Sequence, residues 1–503
     1  MRLFGLIFIS GFFLFCFPAL VHAAAIDIPL DDAAYPDFER LEVKGLVKSG
    51  IFSTKPLSRQ EAARLANEAE NEHQAAGKGD YQAGSIIKRL SDRFKNDAGG
   101  AGPATCVKPL ERAYFKYLYA DNGAPFFPSV NNRGDFFKEG SNLRAGIWSS
   151  AKLFDTVSVF LNPEYRLDAG GSRGELVAGY ARLNLGNLVL LAGRDSMWWG
   201  SGAHGTLLMT DNAKPFDMVK VTSERPFLLP WVFGRLGLFR PTLFLTRLEK
   251  DRGFPHPNLL GMRLDFKPTE RLQFGVSRVF MFGGEGRRSL SLSDWGKVFI
   301  ASDSAEHSGS PIDGNQIASI DASYVYVNRG RHLPFSGVKI YTEWGAEDSS
   351  GDTKTPTGRA NIYGAYIDEP FRLKELDLRV EWANTARSQR YGPQWYYHGT
   401  YYPGYKYEGA FIGHHMGGDS RDLFTRVQYH ATPDVTVGAE ADLEWTRVHS
   451  ADHGKRKWLG SDIVMRSGKG AVVKAGAGVE DLSDPLDRRG TTVSAWLGAS
   501  WDF

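Results

Sequence analysis

The sequence predicts an all-β transmembrane antiparallel barrel of about 18 strands, with a small N-terminal α-helical unit. Three observations carry this expectation. After the first twenty-odd of 503 residues, no stretch is long and apolar enough to cross a bilayer as a helix, which excludes a polytopic helical membrane protein. From Val107 onward, apolar and polar residues alternate with the two-residue period of strands. The connections between these segments are long on one side and short on the other, the asymmetry of an outer-membrane barrel. Aromatics at 13% and 56 Gly, set among short aliphatic runs, suit many short strands rather than a disordered chain. A net charge of +2 gives no nucleic-acid signal.

In chain order, Met1 and Arg2 lead into the apolar run Leu3 to Leu20 and the small-residue site Val21-His22-Ala23, the layout of a cleaved secretory signal over residues 1–23. Cys16 would leave with it, making Cys106 the only mature thiol and excluding an internal disulfide. Residues 24–103 read as a helical unit. Phe38 and Leu41 share a helical face that ends near Gly45, and Ser58-Arg59-Gln60-Glu61 forms a capping box before Ala62, Ala63, Leu65 and Ala66. A third helix carries Ile86, Ile87, Leu90 and Phe94 on one face, and the Gly- and Ala-rich stretch from Ala98 to Pro103 reads as a linker.

Residues 104–503 are the expected barrel. Within Asp155 to Asp168, Val157, Val159, Leu161, Tyr165 and Leu167 oppose Ser158, Asn162, Glu164, Arg166 and Asp168; segments 375–382 and 435–445 repeat the pattern. Candidate strands begin near residues 107, 142, 156, 174, 188, 216, 231, 258, 271, 316, 335, 359, 375, 421, 435, 457, 471 and 491. The long gaps, 121–141, 196–215, 284–315 and 386–420, all follow odd-numbered strands, which places both termini on the periplasmic side. Pro163 within a strand calls for a bulge or an interior explanation. Thr491 to Phe503 alternates strictly except at Trp496 and closes on an aromatic, like the strand that outer-membrane barrels present to their assembly machinery. Period alone leaves a soluble sandwich open, because the polar face could look at bulk water instead of a wet lumen.

Four motifs bear on chemistry. Gly200-Ser201-Gly202-Ala203-His204-Gly205 matches a dinucleotide fingerprint formally, but no helix-period segment follows to receive a pyrophosphate, so the glycines serve a tight fold-back loop. In the loop from Arg387 to Ser420, Trp395, Tyr396, Tyr397, Tyr401, Tyr402, Tyr405 and Tyr407 alternate with glycines. Such rings stack on pyranose faces while Arg387 and Arg390 bond hydroxyls or acidic groups; the alternative, and for any single tyrosine the commoner job, is to pack the loop into the barrel mouth as a plug or to join the interfacial girdle. Alanine at Trp395, Tyr401 and Tyr405 is then expected to weaken polysaccharide retention without lowering the amount of folded barrel. His414-His415, and His449 with His453, offer no metal site by local spacing, since i,i+4 ligation needs a helix and Ser450-Ala451-Asp452 reads as a hairpin loop. The Asp348-Ser349-Ser350-Gly351-Asp352 tip lacks the spacing and final glutamate of a calcium loop. Neither cofactor, metal nor catalytic residue is expected.

IPLDDAAYPDFERLEVKGLV, PLSRQEAARL, WWGSGAHGTLLMTDNAKPF and YYHGTYYPGYKYEGAFIGHHMGGDSRD together resemble the capsule assembly Wzi family across nearly the whole mature chain. The most specific match is at Trp198, Trp199, Gly200, Gly202, Asn212, Ala213 and Pro215, in a family-motif loop that also carries Asp211; Ser201 stands where many relatives carry proline. The resemblance implies an 18-stranded outer-membrane barrel with a helical bundle at its periplasmic mouth and extracellular loops closing its top. It implies a surface lectin that holds and organises capsular polysaccharide or exopolysaccharide, export being left to other proteins. The expected partners are that polymer, outer-membrane lipid and, during biogenesis, the barrel assembly machinery, with a monomer favoured. A substrate-specific channel is the alternative, and a hydrolase a third reading.

Overall fold

In the computed structural model the described residues are 25–77, 79–98, 103–287, 290–291, 294–296, 314–328, 330, 332–350, 355–386, 395–467, 470–485 and 489–503. The expected signal at 1–23, most of the linker, the side chains of the 348–352 tip, and Arg387 and Arg390 lie outside them. The alternating segments form β1 (Cys106–Ala120), β2 (Gly140–Leu153), β3 (Val157–Asp168), β4 (Gly171–Leu185), β5 (Leu188–Asp195), β6 (Phe216–Ser223), β7 (Leu238–Arg247), β8 (Asn258–Lys267) and β9 (Leu272–Phe282). They continue as β10 (Asn315–Val327), β11 (Gly337–Ser350), β12 (Thr355–Asp368), β13 (Leu376–Asn384), β14 (Arg421–Thr432), β15 (Val435–Thr446), β16 (Gly454–Arg466), β17 (Ala471–Ser483) and β18 (Arg489–Asp502). Each pairs antiparallel with the next, and β1 pairs with β18 from Arg112 opposite Asp502 to Ala120 opposite Ser494, so the sheet has no free edge.

Burial decides between sandwich and barrel. On β3 the apolar Leu161 is 45% exposed while Glu164 is only 7% exposed, and Ser158, Asn162, Arg166 and Asp168 are buried with it. The same inversion holds on β15, where Val437 is exposed and Asp442 and Glu444 are buried, and on β18, where Val493, Leu497 and Trp501 face out. Apolar outside and charged inside is the pattern of a barrel in lipid. Trp496, the break in the polar face of β18, turns inward and stacks on Trp458 with ring centroids 6.1 Å apart. At Pro163 the β3–β4 register shifts between Asn162 and Pro163, a bulge that spares the ladder a missing donor.

Strand starts agree with the expected ones to within four residues, except that β7 begins at Leu238 rather than near 231. Trp231–Leu236 is a 3₁₀ turn, with Trp231 at φ 57° and Gly237 at φ 76°. Trp231, Val232 and Phe233 stand exposed at the barrel rim. Their apolarity is suited to a bilayer interface, and it mimics a strand in the sequence.

The helices are α1 (Ala34–Val43), α2 (Arg59–Ala75) and α3 (Tyr81–Phe94). Ser58 caps α2 by accepting from the Glu61 N–H at 3.0 Å, and Ile86, Ile87, Leu90 and Phe94 bury the inner face of α3. The unit sits in the barrel end that carries the short turns. Glu42 meets Lys267 at 3.2 Å and Lys339 at 2.9 Å; Arg40 meets Glu375 at 2.6 Å; Arg89 donates to the Pro433 carbonyl at 3.1 Å. Burial alone would raise the Glu39 carboxyl, yet Arg379 and Lys339 draw it down to about 2, so α1 is held as an anion against a cationic wall. Deeper in the lumen, Thr54–Lys55 form a two-residue antiparallel ladder with Trp198–Trp199 from the opposite end.

Candidate functional site

The connection between β5 and β6 turns into the lumen instead of outward. Trp199 is bridged to Met209 and lies edge to face on Phe244 at 5.4 Å, and the Gly200 N–H donates to the Ser53 carbonyl at 2.7 Å. Gly200 has φ 133°, and a Cβ at Gly202 would sit 2.1 Å from the Gly205 carbonyl oxygen, so this turn requires glycine for closeness rather than for phosphate. Trp198, Trp199, Gly200, Gly202, Asp211, Asn212 and Pro215 are all buried. Asp211 and Asn212 join this loop to the β1–β2 connection: their carbonyls accept from the Arg133 and Gly134 N–H groups at 2.7 and 3.1 Å. Burial pushes the Asp211 carboxyl up to about 6, against the pull of Arg133.

The aromatic loop between β13 and β14 packs onto that floor. Trp395, Tyr396, Tyr401 and Tyr405 are buried in the same core as Trp199, Leu207, Leu208 and Phe244. The Tyr405 hydroxyl donates to the Leu208 carbonyl at 2.7 Å, that of Tyr396 donates to the Leu207 carbonyl, and the Tyr396 N–H donates to Glu347 at 2.5 Å. Trp395 lies over Gly345, where an added Cβ would come within 2.3 Å of its ring. These four rings hold the loop down, and none of their faces is open to a sugar. Tyr397 and Tyr402 are 44% and 72% exposed, and Tyr407 is half-buried with its ring 5.0 Å from Phe216. The seven aromatic candidates thus divide into four that support and three that keep surface.

Between this loop and the β1–β2 connection lies a cleft of about 620 Å³ at the long-loop end of the barrel. Tyr397, Phe411, Phe126 and Phe136 line it, together with Lys406, Arg447 and Arg456. Lys406 stands over the Phe411 ring at 4.4 Å, and Arg456 over the Phe126 ring at 4.1 Å. The sequence reading passed over the β1–β2 contribution, although Phe126-Phe127 and Phe136-Phe137 are the same signal as the tyrosines, bulky rings in an otherwise polar connection. A cavity of about 790 Å³ between α3 and the wall at the other end is lined by Arg59, Arg89, Arg93, Asp31, Asp37 and Glu111. There Arg59 pairs with Glu111, Arg89 with Asp37 and Arg133 with Asp31, so that cavity's charges answer one another.

Beneath the cleft, the histidines that chain spacing dismissed meet a third. His204 from the β5–β6 loop is 4.7 Å from His415 between ring centroids, and both face Asp422 on β14 and Asp442 on β15. His204 Nε2 is 2.6 Å from Asp442 and 3.6 Å from Asp422, and His415 Nε2 is 3.4 Å from Asp422. Burial first, and then neighbouring positive charge, holds the His414 and His415 rings well below the usual imidazole range, so both are neutral at pH 7. His449 lies elsewhere, bonded through Nδ1 to Asp419 at 2.5 Å.

Comparison with known proteins gives three findings. The family described as capsule assembly protein Wzi matches over residues 115–495. The chain is 25% identical over 319 residues to an uncharacterized 55.8 kDa protein in the cps region of Klebsiella pneumoniae; the match covers 63% of this chain and spans 57% of that relative's length. It is similar in fold, with TM-score 0.70 and 19% identity over 95% of this chain and 100% of the other, to the solved Wzi of Escherichia coli, an outer-membrane protein involved in group 1 capsule assembly and described as a carbohydrate-binding β-barrel.

Proposed function

The chain belongs to the capsule assembly Wzi family, and from that premise we propose that it is a non-enzymatic, lectin-like outer-membrane protein that binds and organises capsular polysaccharide or exopolysaccharide at the cell surface. The observation that supports this most is the cleft at the long-loop end, where the exposed rings of Tyr397 and Phe136 stand among guanidinium and ammonium groups. Flat rings take the apolar faces of pyranoses, and cations take hydroxyls and acidic substituents. In this reading Tyr397, Tyr402 and Tyr407 contact polymer with Arg387 and Arg390, while Trp395, Tyr396, Tyr401 and Tyr405 keep the loop in shape. The family-motif loop from Trp198 to Pro215 is the floor on which that shape rests. Outer-membrane lipid surrounds the apolar belt, the assembly machinery inserts the barrel, and a monomer suffices because a repeating polymer supplies many weak contacts.

The test is the partition of polysaccharide between cell surface and medium in a deletion strain, its parent and strains complemented with wild type or with Phe136→Ala/Tyr397→Ala. Release into the medium at constant total polymer, restored by wild type but not by the double variant, is expected, with equal amounts of heat-modifiable barrel. Unchanged retention by the double variant would remove the cleft from the binding role. An unchanged partition in the deletion strain, with impaired growth on some solute, would favour the channel.

A further inference from the structure

We propose that His204, His415, Asp422 and Asp442 form a binding site for one divalent transition-metal ion of the zinc type, which pins the two inward-folded loops to the barrel wall. One ligand atom from each lies within 4.8 Å of all the others. Ligands placed tetrahedrally at about 2.0–2.1 Å from zinc stand roughly 3.3 Å apart. The His415–Asp422 and His204–Asp422 separations of 3.4 and 3.6 Å already approach that figure, and the His204–Asp442 contact, 2.6 Å without an ion, would have to lengthen by about 0.7 Å.

The cluster also holds polar atoms that find no partner outside it. Both ring nitrogens of His415 are buried without a hydrogen bond, while His204 Nε2 and the Asp422 and Asp442 carboxylates crowd one another, as at 2.6 Å between His204 and Asp442. Buried polar atoms are nearly always satisfied, so orphaned ring nitrogens facing crowded carboxylates point to a further partner. The donor set fixes the sign of the ligand: imidazole binds a metal as the neutral ring and aspartate as the carboxylate, so a bound divalent ion would be matched by two ligand charges of −1 each. The adjacent Glu444 is already met by Arg456 at 3.1 Å. Two imidazole nitrogens with two carboxylates suit zinc, cobalt or nickel, whereas calcium and magnesium prefer oxygen throughout.

The surroundings hold the donors. The His204 ring lies flat on Phe424, with centroids 3.9 Å apart and planes 3° off parallel, and its backbone N–H donates to Glu381 at 3.0 Å. The His414 N–H, next to His415, donates to the Tyr396 hydroxyl at 2.9 Å. Two ligands come from two different loops and two from adjacent strands, and all four positions are filled by protein, the mark of a structural rather than a catalytic ion. The site stands whether or not the cleft above it binds polysaccharide.

The experiment uses the full mature chain, folded in detergent and stripped with chelator. Titration with Co²⁺ should give one equivalent per chain with the visible absorption of a tetrahedral site, and Zn²⁺ should abolish it by displacement. His415→Gln and Asp442→Asn should each weaken Co²⁺ binding by about 100-fold or more, and His449→Gln should leave it unchanged. In wild type, Zn²⁺ at a hundred times its Kd should slow protease cleavage within 196–215 and 385–420 by about 100-fold, and Ca²⁺ should not. Absence of a stoichiometric cobalt signal in heat-modifiable wild-type barrel would overturn the proposal, as would equal protection by Ca²⁺. Should the variants fail to fold, the wild-type titration and protection still decide it.

Discussion

Replacing Trp395 with alanine separates support from contact. The indole is only 1% exposed, lodged over Gly345 and against Leu207 and Tyr396. Truncating a buried Trp removes its transfer energy and leaves a cavity, about 3–5 kcal/mol together. The barrel's ladders do not pass through Trp395, so this cost falls on closure of the 385–420 loop and not on the strands. At about 1.4 kcal/mol per tenfold, the open population rises by about two to three and a half orders of magnitude. Hydrogen exchange reads that directly: the Tyr405 N–H, bonded to the Tyr396 carbonyl at 2.9 Å, and the Thr210 N–H, bonded to the Ile412 carbonyl at 2.9 Å, should lose about 100- to 4,000-fold protection, while β14 and β15 amides keep theirs. Tyr402→Ala, removing an exposed ring, should change protection by less than about threefold. Polysaccharide binding that falls in Trp395→Ala with loop protection intact would refute the assignment and make Trp395 a contact residue.

Arg263 on β8 joins the N-terminal segment to the wall, donating to the Ser53 hydroxyl at 2.8 Å, the Thr54 hydroxyl at 2.6 Å, and Asp265 and Asp321 at 2.7 Å each. Arg263→Met should cost about 3–5 kcal/mol in denaturant unfolding of the folded barrel, and adding Asp321→Leu should recover part of it, since Asp265 keeps the Ser53 and Thr54 hydroxyls as donors. Asp211 supplies a pH dependence. Its carboxyl rises from 3.8 to about 6 on folding, so its contribution to loop closure is full below pH 3.8 and lost as pH rises through 6. Two units correspond to at most about 3 kcal/mol; exchange within 196–215 should therefore quicken from pH 4 to pH 7 after correction for intrinsic rates, and Asp211→Asn should flatten that slope. Gly345→Ala should reproduce the loop opening of Trp395→Ala, because a Cβ there meets the indole at 2.3 Å.

The architecture was legible because its signals are local and repeated. Alternation along β3, β15 and β18 fixed which side chains share a face, and the capping box at Ser58 marked the start of α2. What alternation left open was which face meets lipid; the long-and-short asymmetry of the connections already pointed to a barrel, and the burial of Glu164 beside the exposure of Leu161 agrees with it. The binding residues were less legible. A ring in a loop looks the same in sequence whether it covers a core or keeps an open surface; Trp395 and Tyr397 are two residues apart, yet the first is buried and the second 44% exposed. The His204 to His415 encounter is hidden for another reason. Its partners are 211 positions apart and belong to two loops that both fold inward, so no spacing rule that presumes a helix or hairpin reaches it.

The ladder between Thr54–Lys55 and Trp198–Trp199 bears on what the fold is built to do. A channel needs a lumen that opens, and a plug meant to move is held by few, exposed contacts. Here the N-terminal segment is bound in the lumen through Ser53 and Thr54 to Asp265, and through the Gly50 carbonyl to Lys267 at 2.8 Å, all buried. It is also bonded to a loop descending from the opposite end, so that displacing either plug requires breaking the other's hydrogen bonds. Such coupling opposes the movement that a channel reading requires of either plug. In the proposed lectin role it would also limit the conformational entropy lost on binding, the condition under which modest contacts, repeated along a polymer, hold it at a surface.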